Sequence, residues 1–317
     1  MNIFCSFREL GTTRIVRAGS CGHALREPHK RARMLPVTLR LALALAAFVL
    51  LVLANLAQHV WHPPLSLVEE QAAKDWGGPD WRVRFNPYDL TRGERLWTPA
   101  HEARLQDYVG KGVYLTAITI MGQCVYQGLS LLVEVGLAFG RPLPHLTTAV
   151  YSSAAFINGL GVMMCCMFLF FWAIQKAAHP EWRAQWNFYE ARGYPKYWPL
   201  MVLVHLPSLV CGFVDVASKD ASLLAKYLPG PAALVWAGTA YHVAYEAWLY
   251  LNFVMCGGAI PYPWYYDIQL SDRPLTNLLL YLVVVNAMIS GIVLGYRRYI
   301  IACVGSAMAT QRPTKRE

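Results

Sequence analysis

Charge is what this chain has least of. Asp, Glu, Lys and Arg make up 15% of its 317 residues while 56% are hydrophobic, and the mean hydropathy is +0.31, which excludes a soluble domain of ordinary composition. Acidic residues are the scarcer sign, 19 against 28 basic ones, leaving a net charge of +9. In a soluble protein that surplus would point to nucleic acid. Here much of it sits in the tails, from Arg8 to Arg40 and from Arg297 to Arg316, so the expected partner is the lipid bilayer and no nucleic acid. The eight cysteines show no CxxC or disulfide-framework spacing; no structural metal site is expected. Cys5 and Cys21 in the basic N-terminal stretch are either palmitoylation sites or ordinary free thiols. Strict apolar–polar alternation is missing, which excludes a transmembrane barrel. An internal repeat is missing too, which weighs against a duplicated transporter. No small-residue cleavage site follows the first apolar run, which therefore reads as a retained anchor.

What the chain does have is six apolar runs, at 39–60, 113–139, 146–175, 198–216, 232–256 and 275–296. A helical span needs about 20 residues, and lipid admits only helices or closed barrels, so an all-α, six-span transmembrane bundle is expected. Residues 1–38 read as a basic, disordered cytoplasmic arm, 39–303 as the six-helix domain, and 304–317 as a basic cytoplasmic tail. An even number of spans puts both termini on one side, and the positive-inside bias makes it the cytoplasm of a plasma membrane or endomembrane protein. The 61–112 loop, with Trp76, Trp81 and Trp97, is expected to lie on the headgroup layer, its tryptophans as interface anchors. The connection from Lys176 to Tyr197, rich in Trp and Tyr, reads as a second aromatic belt. Alanines 233, 237, 240, 244 and 247 form a small-residue stripe that predicts close helix packing in the fifth span.

Polar groups inside such runs are expensive, so each one asks for a reason. Thr116 lies about 5 Å into the second run and His205 about 10 Å into the fourth at 1.5 Å per residue, and these two runs cross in the same direction. A neutral imidazole within reach of a threonine hydroxyl can take its proton and make it a nucleophile. The bland readings are a hydroxyl bonded to the carbonyl one turn back for Thr116 and an interhelical hydrogen bond for His205. Gln123 falls two turns after Thr116 on the same face, with Thr119 between them. Glu246 either orients His205 or pairs with His242 at i,i−4. Asp215, ten residues after His205, is about 15 Å away along one helix and too far for a triad.

The segment Gly112-Val-Tyr-Leu-Thr-Ala-Ile-Thr-Ile-Met-Gly-Gln123 resembles the second span of the androgen-induced, or FAR-type, multi-pass proteins, in which an aromatic-Leu-Thr precedes a Gln seven residues after the Thr. The run Phe168 to Ile174, His205 with an acidic residue ten positions on, and Tyr262-Pro263 after the fifth run extend the resemblance over roughly 35–300. Where that family carries Asn-His just before its catalytic His, this chain is apolar around Val202; Leu206-Pro207 stands where the family has Thr-Thr. The resemblance implies a six-span hydrolase of fatty acid esters of hydroxy fatty acids, with Thr116 as nucleophile, His205 as base and no cofactor or metal. Gln123, Thr119, Glu246 and Asp215 are supporting candidates; no oxyanion hole is legible in the sequence, and the donor is open to Gln123 or to a serine or threonine hydroxyl. The rival expectation is a non-catalytic channel, transporter or receptor whose polar path is lined by His205, His242 and Glu246; a haem carrier using His205 and His242 is a second.

Overall fold

The computed structural model describes residues 35–60, 64–86, 99–178, 190–193, 197–262 and 264–309. Among them every regular element is a helix. The long ones are α1 (Val37–Val60), α5 (Leu115–Ala138), α6 (Pro144–Ala178), α7 (Tyr197–Ser218), α9 (Pro231–Met255) and α11 (Pro274–Ala309). Short helices fill the connections: α2 (Leu65–Asp75), α3 (Trp81–Arg84), α4 (Pro99–Val109), α8 (Ala221–Tyr227) and α10 (Trp264–Gln269). The N-terminal arm, Trp97 and most of the aromatic connection after Lys176 lie outside the described residues.

Local chemistry explains the breaks. Gly140 ends α5 in the left-handed region at φ 68°, and Arg141 N–H closes onto the Gly136 carbonyl at 2.8 Å, a Schellman-type stop that folds α6 back against α5. A Cβ on Gly136 would stand 2.8 Å from the Arg141 carbonyl oxygen, so this hairpin needs both glycines. Asp220 caps α8 by accepting from Ser222 N and Leu223 N at 2.9 and 3.1 Å. Gly230 followed by Pro231 opens α9, the favoured order for a helix start.

In the bundle α1 packs on α5 and α7, α6 on α5, α7 and α11, and α9 on α11. Four stretches are long and apolar enough to cross a membrane, 37–57, 115–138, 144–170 and 274–306. A fifth exists if 202–218 and α8, bent by 106° at their junction, count as one broken span. This is compatible with a multi-pass membrane protein. The expected fifth span, α9, has 25 residues but carries His242, Glu246, Asn252 and several tyrosines that dilute its apolar character. The last helix reaches Ala309, past the end expected at Tyr296, because Arg297 and Arg298 are good helix formers and the residues after them are again largely apolar.

Two expectations turn over. Trp76 and Trp81 are buried, at 7% and 2% exposure, in a small cluster with Val68, Ala72, Ala100 and Ala103, instead of facing headgroups. The alanine stripe of α9 does not pack within the chain: Ala233, Ala240, Ala244 and Ala247 are exposed, and Leu234, Gly238, His242, Tyr245, Leu249 and Asn252 form the inward face.

Candidate functional site

One face of α5 carries Thr116, Thr119, Gln123, Gln127, Ser130 and Glu134, spaced three or four apart and therefore in one line along the helix. From Thr119 onward all are buried. A polar line of this kind inside an apolar bundle must be hydrogen-bonded to neighbouring helices, and from Thr119 onward each residue makes at least one such bond. Thr119 Oγ1 and Tyr241 OH of α9 are 2.7 Å apart. Gln123 Nε2 donates to the Ser208 carbonyl at 2.9 Å and to Asn158 Oδ1 at 3.3 Å, while its Oε1 accepts from Ser208 Oγ. Asp215 accepts from Tyr126 OH, Ser130 Oγ and Asn158 Nδ2 at 2.8, 3.1 and 2.7 Å and pairs with Lys219 at 3.0 Å.

These bonds fix the register. Gln123 to Ser208 and then Tyr126 and Ser130 to Asp215 advance together along both chains, so α5 and α7 run parallel. Thr116 lies about 10 Å above Gln123, toward the start of α5. His205 lies about 4.5 Å above Ser208 at Cα, and its side chain leans further toward the start of α7, as helical side chains do. The antiparallel α6 gives a second measure. Gly161 faces the Gln123 carboxamide so closely that a Cβ there would come within 2.7–2.8 Å of it, and Phe168 lies seven residues further on, at the depth of Thr116. The His205 ring stacks on that Phe168, centroids 3.9 Å apart and planes within 16°. Thr116, Phe168 and His205 thus share one end of the bundle within about one helical turn.

The two central residues differ in state. His205 is 6% exposed. Thr116 is half-buried, and among the described residues no hydrogen bond joins it to His205 or to the carbonyl one turn back. Its neighbours on α5 are engaged: Leu115 N–H donates to Tyr262 OH at 3.0 Å, and Thr119 is held by Tyr241. Trp248 Nε1 of α9 donates to the Gly112 carbonyl at 3.0 Å, closing the same corner.

The supporting candidates separate. Gln123 spends its carboxamide on Ser208 and Asn158 and holds α5, α6 and α7 together, so the role open to it as an oxyanion donor has no free N–H behind it. Asp215, bound at the far end of the line, braces helices. Glu246 takes the local option: His242 Nε2 is 3.2 Å from its Oε1, and Tyr265 OH donates to its Oε2 at 2.5 Å, with Tyr281 OH 3.2 Å beyond Tyr265. Glu246 therefore does not orient His205. Asn158, Ser208 and Tyr241 are not among the residues the sequence singles out, and Tyr262 enters there only within the Tyr262-Pro263 pair, without a role. For the first two, a signal existed in their small or polar character at inward positions of apolar helices. Among the described residues no group of three or more His, Cys, Asp or Glu side chains could hold a metal ion.

No family model, no curated protein and no solved structure matches the chain.

Proposed function

We propose that this chain is a six-span membrane protein that hydrolyses lipid esters, with Thr116 as nucleophile and His205 as general base, and with fatty acid esters of hydroxy fatty acids as the substrate class. The observation that carries the reading is a threonine hydroxyl with no hydrogen bond among the described residues, at the head of a polar line whose other members bond to neighbouring helices, at the depth of a buried histidine. A sixth span through α9 is supported by its length and by its outward Trp236, Val243, Tyr250 and Val254. Both termini then lie on one side, the cytoplasm by their basic residues.

In this mechanism His205 takes the Thr116 proton as Oγ1 attacks the ester carbonyl carbon, and the carbonyl electrons move onto oxygen. Collapse of the tetrahedral species expels the alcohol, which leaves with the proton from His205. Water, deprotonated by His205, then attacks the acyl-threonine, releasing the fatty acid and restoring the hydroxyl. Stacking on Phe168 holds the imidazole ring at a fixed angle.

The test is hydrolysis of a long-chain ester of a hydroxy fatty acid by the detergent-purified chain. Thr116→Ala and His205→Ala are expected to lower kcat at least ~100-fold at an unchanged melting temperature. An inactive wild type that also resists a fluorophosphonate, together with ion or solute flux lost in Glu246→Gln, would move the assignment to a polar path along His242 and Glu246.

A further inference from the structure

A tetrahedral intermediate needs a donor for its oxygen, and Gln123 has none to spare. Among the described residues the one side-chain hydroxyl bonded to the first residue of α5 is that of Tyr262, from the segment between α9 and α10. Its oxygen accepts twice, from Leu115 N–H at 3.0 Å and from Tyr245 OH at 3.2 Å. A phenol that accepts two bonds still has its own O–H to give, and among the described residues that O–H has no acceptor. Its position is set from both sides: the ring stacks on Trp264 with centroids 4.7 Å apart and planes within 11°, and the oxygen is pinned to the residue next to the nucleophile. Tyr114, at the start of α5, makes no side-chain cap, so the first-turn amides of Thr116 and Ala117 also lack partners within the helix.

We infer that Tyr262 is a catalytic residue of the hydrolysis proposed above, its hydroxyl donating to the carbonyl oxygen of the ester as negative charge develops there. This rests on the hydrolase reading and adds to it a donor outside the Thr–His pair. In the attack step the Thr116 Oγ1–carbon bond forms, the carbonyl π pair moves to oxygen, the proton goes to His205, and the Tyr262 O–H bonds to the new oxyanion without being transferred. On collapse the pair returns to the carbonyl, the alcohol oxygen leaves with the His205 proton, and Tyr262 is unchanged.

A donor to the oxyanion is stronger in the transition state than in the ground state, which separates this role from simple support of α5. In Tyr262→Phe, kcat for the hydroxy fatty acid ester is expected to fall about 100-fold. The affinity for a long-chain alkyl boronic acid, which forms a tetrahedral adduct on a hydroxyl nucleophile, should fall by a similar factor. Binding of the matching ether, which has no carbonyl, should stay within about twofold. Equal loss of ether and boronate binding would make Tyr262 a structural brace and overturn the assignment. Retention of kcat and boronate affinity within about threefold would overturn it as well. If Tyr262→Phe does not fold, 3-fluorotyrosine at 262 keeps the ring and the Leu115 contact while strengthening the donor. Boronate binding should then tighten severalfold, and unchanged binding overturns the proposal. Failure of the hydrolase reading has a separate signature, a wild type that neither cleaves the ester nor reacts with a fluorophosphonate; that outcome removes both.

Discussion

Gly161 shows how one residue can decide the site's geometry. It is a glycine in the middle of an apolar helix, where propensity alone would favour alanine by about 1 kcal/mol, and the reason is the Gln123 carboxamide lying where a methyl would go. That carboxamide is held on both sides by Ser208 and Asn158, so it cannot swing away without losing bonds buried in the bundle. Gly161→Ala is therefore expected to destabilise the protein by about 1–3 kcal/mol, seen as a lower melting temperature in detergent. The ester-hydrolysis rate should fall with it, since the Gln123 tie sets the spacing of α5 and α7. An unchanged melting temperature would mean that α6 can retreat and that the Gln123 tie does not fix the depth of Thr116 against His205. The sequence made Gln123 visible through its seven-residue spacing from Thr116. It could not reveal that the residue is saturated, because saturation depends on Asn158 and Ser208, which come from two other helices.

The short helices between α1 and α5 behave differently from the expected headgroup layer. Val68, Ala72 and Trp76 recur every four residues, a helix face, and they bury against Trp81, Ala100 and Ala103. A tryptophan near a span suits a headgroup anchor and a buried contact equally; only the partner on α4 distinguishes the two. α9 was misread for a related reason. Lipid does not penalise exposed apolar surface as water does, so its alanine stripe and its Leu234-to-Asn252 face have the same period and nothing in the pattern says which turns inward. α4 is joined to α10 through His101, whose ring nitrogen lies 3.0 Å from Tyr266 OH and whose burial lowers its pKa from 6.5 to about 4. An undocked, solvated imidazole binds protons below about 6.5 while the docked one stays neutral down to about 4. Docking is thus unaffected above pH 6.5 and weakens as pH falls from there toward 4, by about 1.4 kcal/mol per unit and about 3 kcal/mol in all. Hydrogen exchange of the α4 amides, corrected for the intrinsic rate, should accelerate between pH 7.5 and pH 5 in the wild type and not in His101→Gln. Equal protection at both pH values would show that His101 does not gate the docking of this segment.

At the scale of the whole molecule, hydropathy located every long helix, but it could not say how they are tied. Asp215 and Lys219 are both fully buried and 3.0 Å apart, and the Lys219 ammonium also donates to Ser130 Oγ at 2.5 Å. Nearby, Glu134 receives Tyr151 OH at 2.5 Å and pairs with Arg40, whose Nε donates to the Ser218 carbonyl at 2.8 Å. One polar knot thus joins α1, α5, α6 and α7 beside the 106° bend into α8, at the opposite end from Thr116. Burying two opposite charges together is near neutral, whereas removing one leaves the other unpaired in a medium that cannot solvate it. Asp215→Ala should accordingly cost about 3–5 kcal/mol in denaturant unfolding from detergent micelles. The double variant Asp215→Leu with Lys219→Met, which removes both charges and fills the volume, should recover most of that loss. Because the knot lies far from the mouth, folded molecules of the double variant should keep kcat close to the wild type. If the double variant is no more stable than Asp215→Ala, the stability resides in the hydrogen bonds from Tyr126, Ser130 and Asn158 and not in the ion pair. If it is stable but inactive, the two ends of the bundle are coupled along the polar face of α5, and the line from Thr116 to Glu134 carries more than packing.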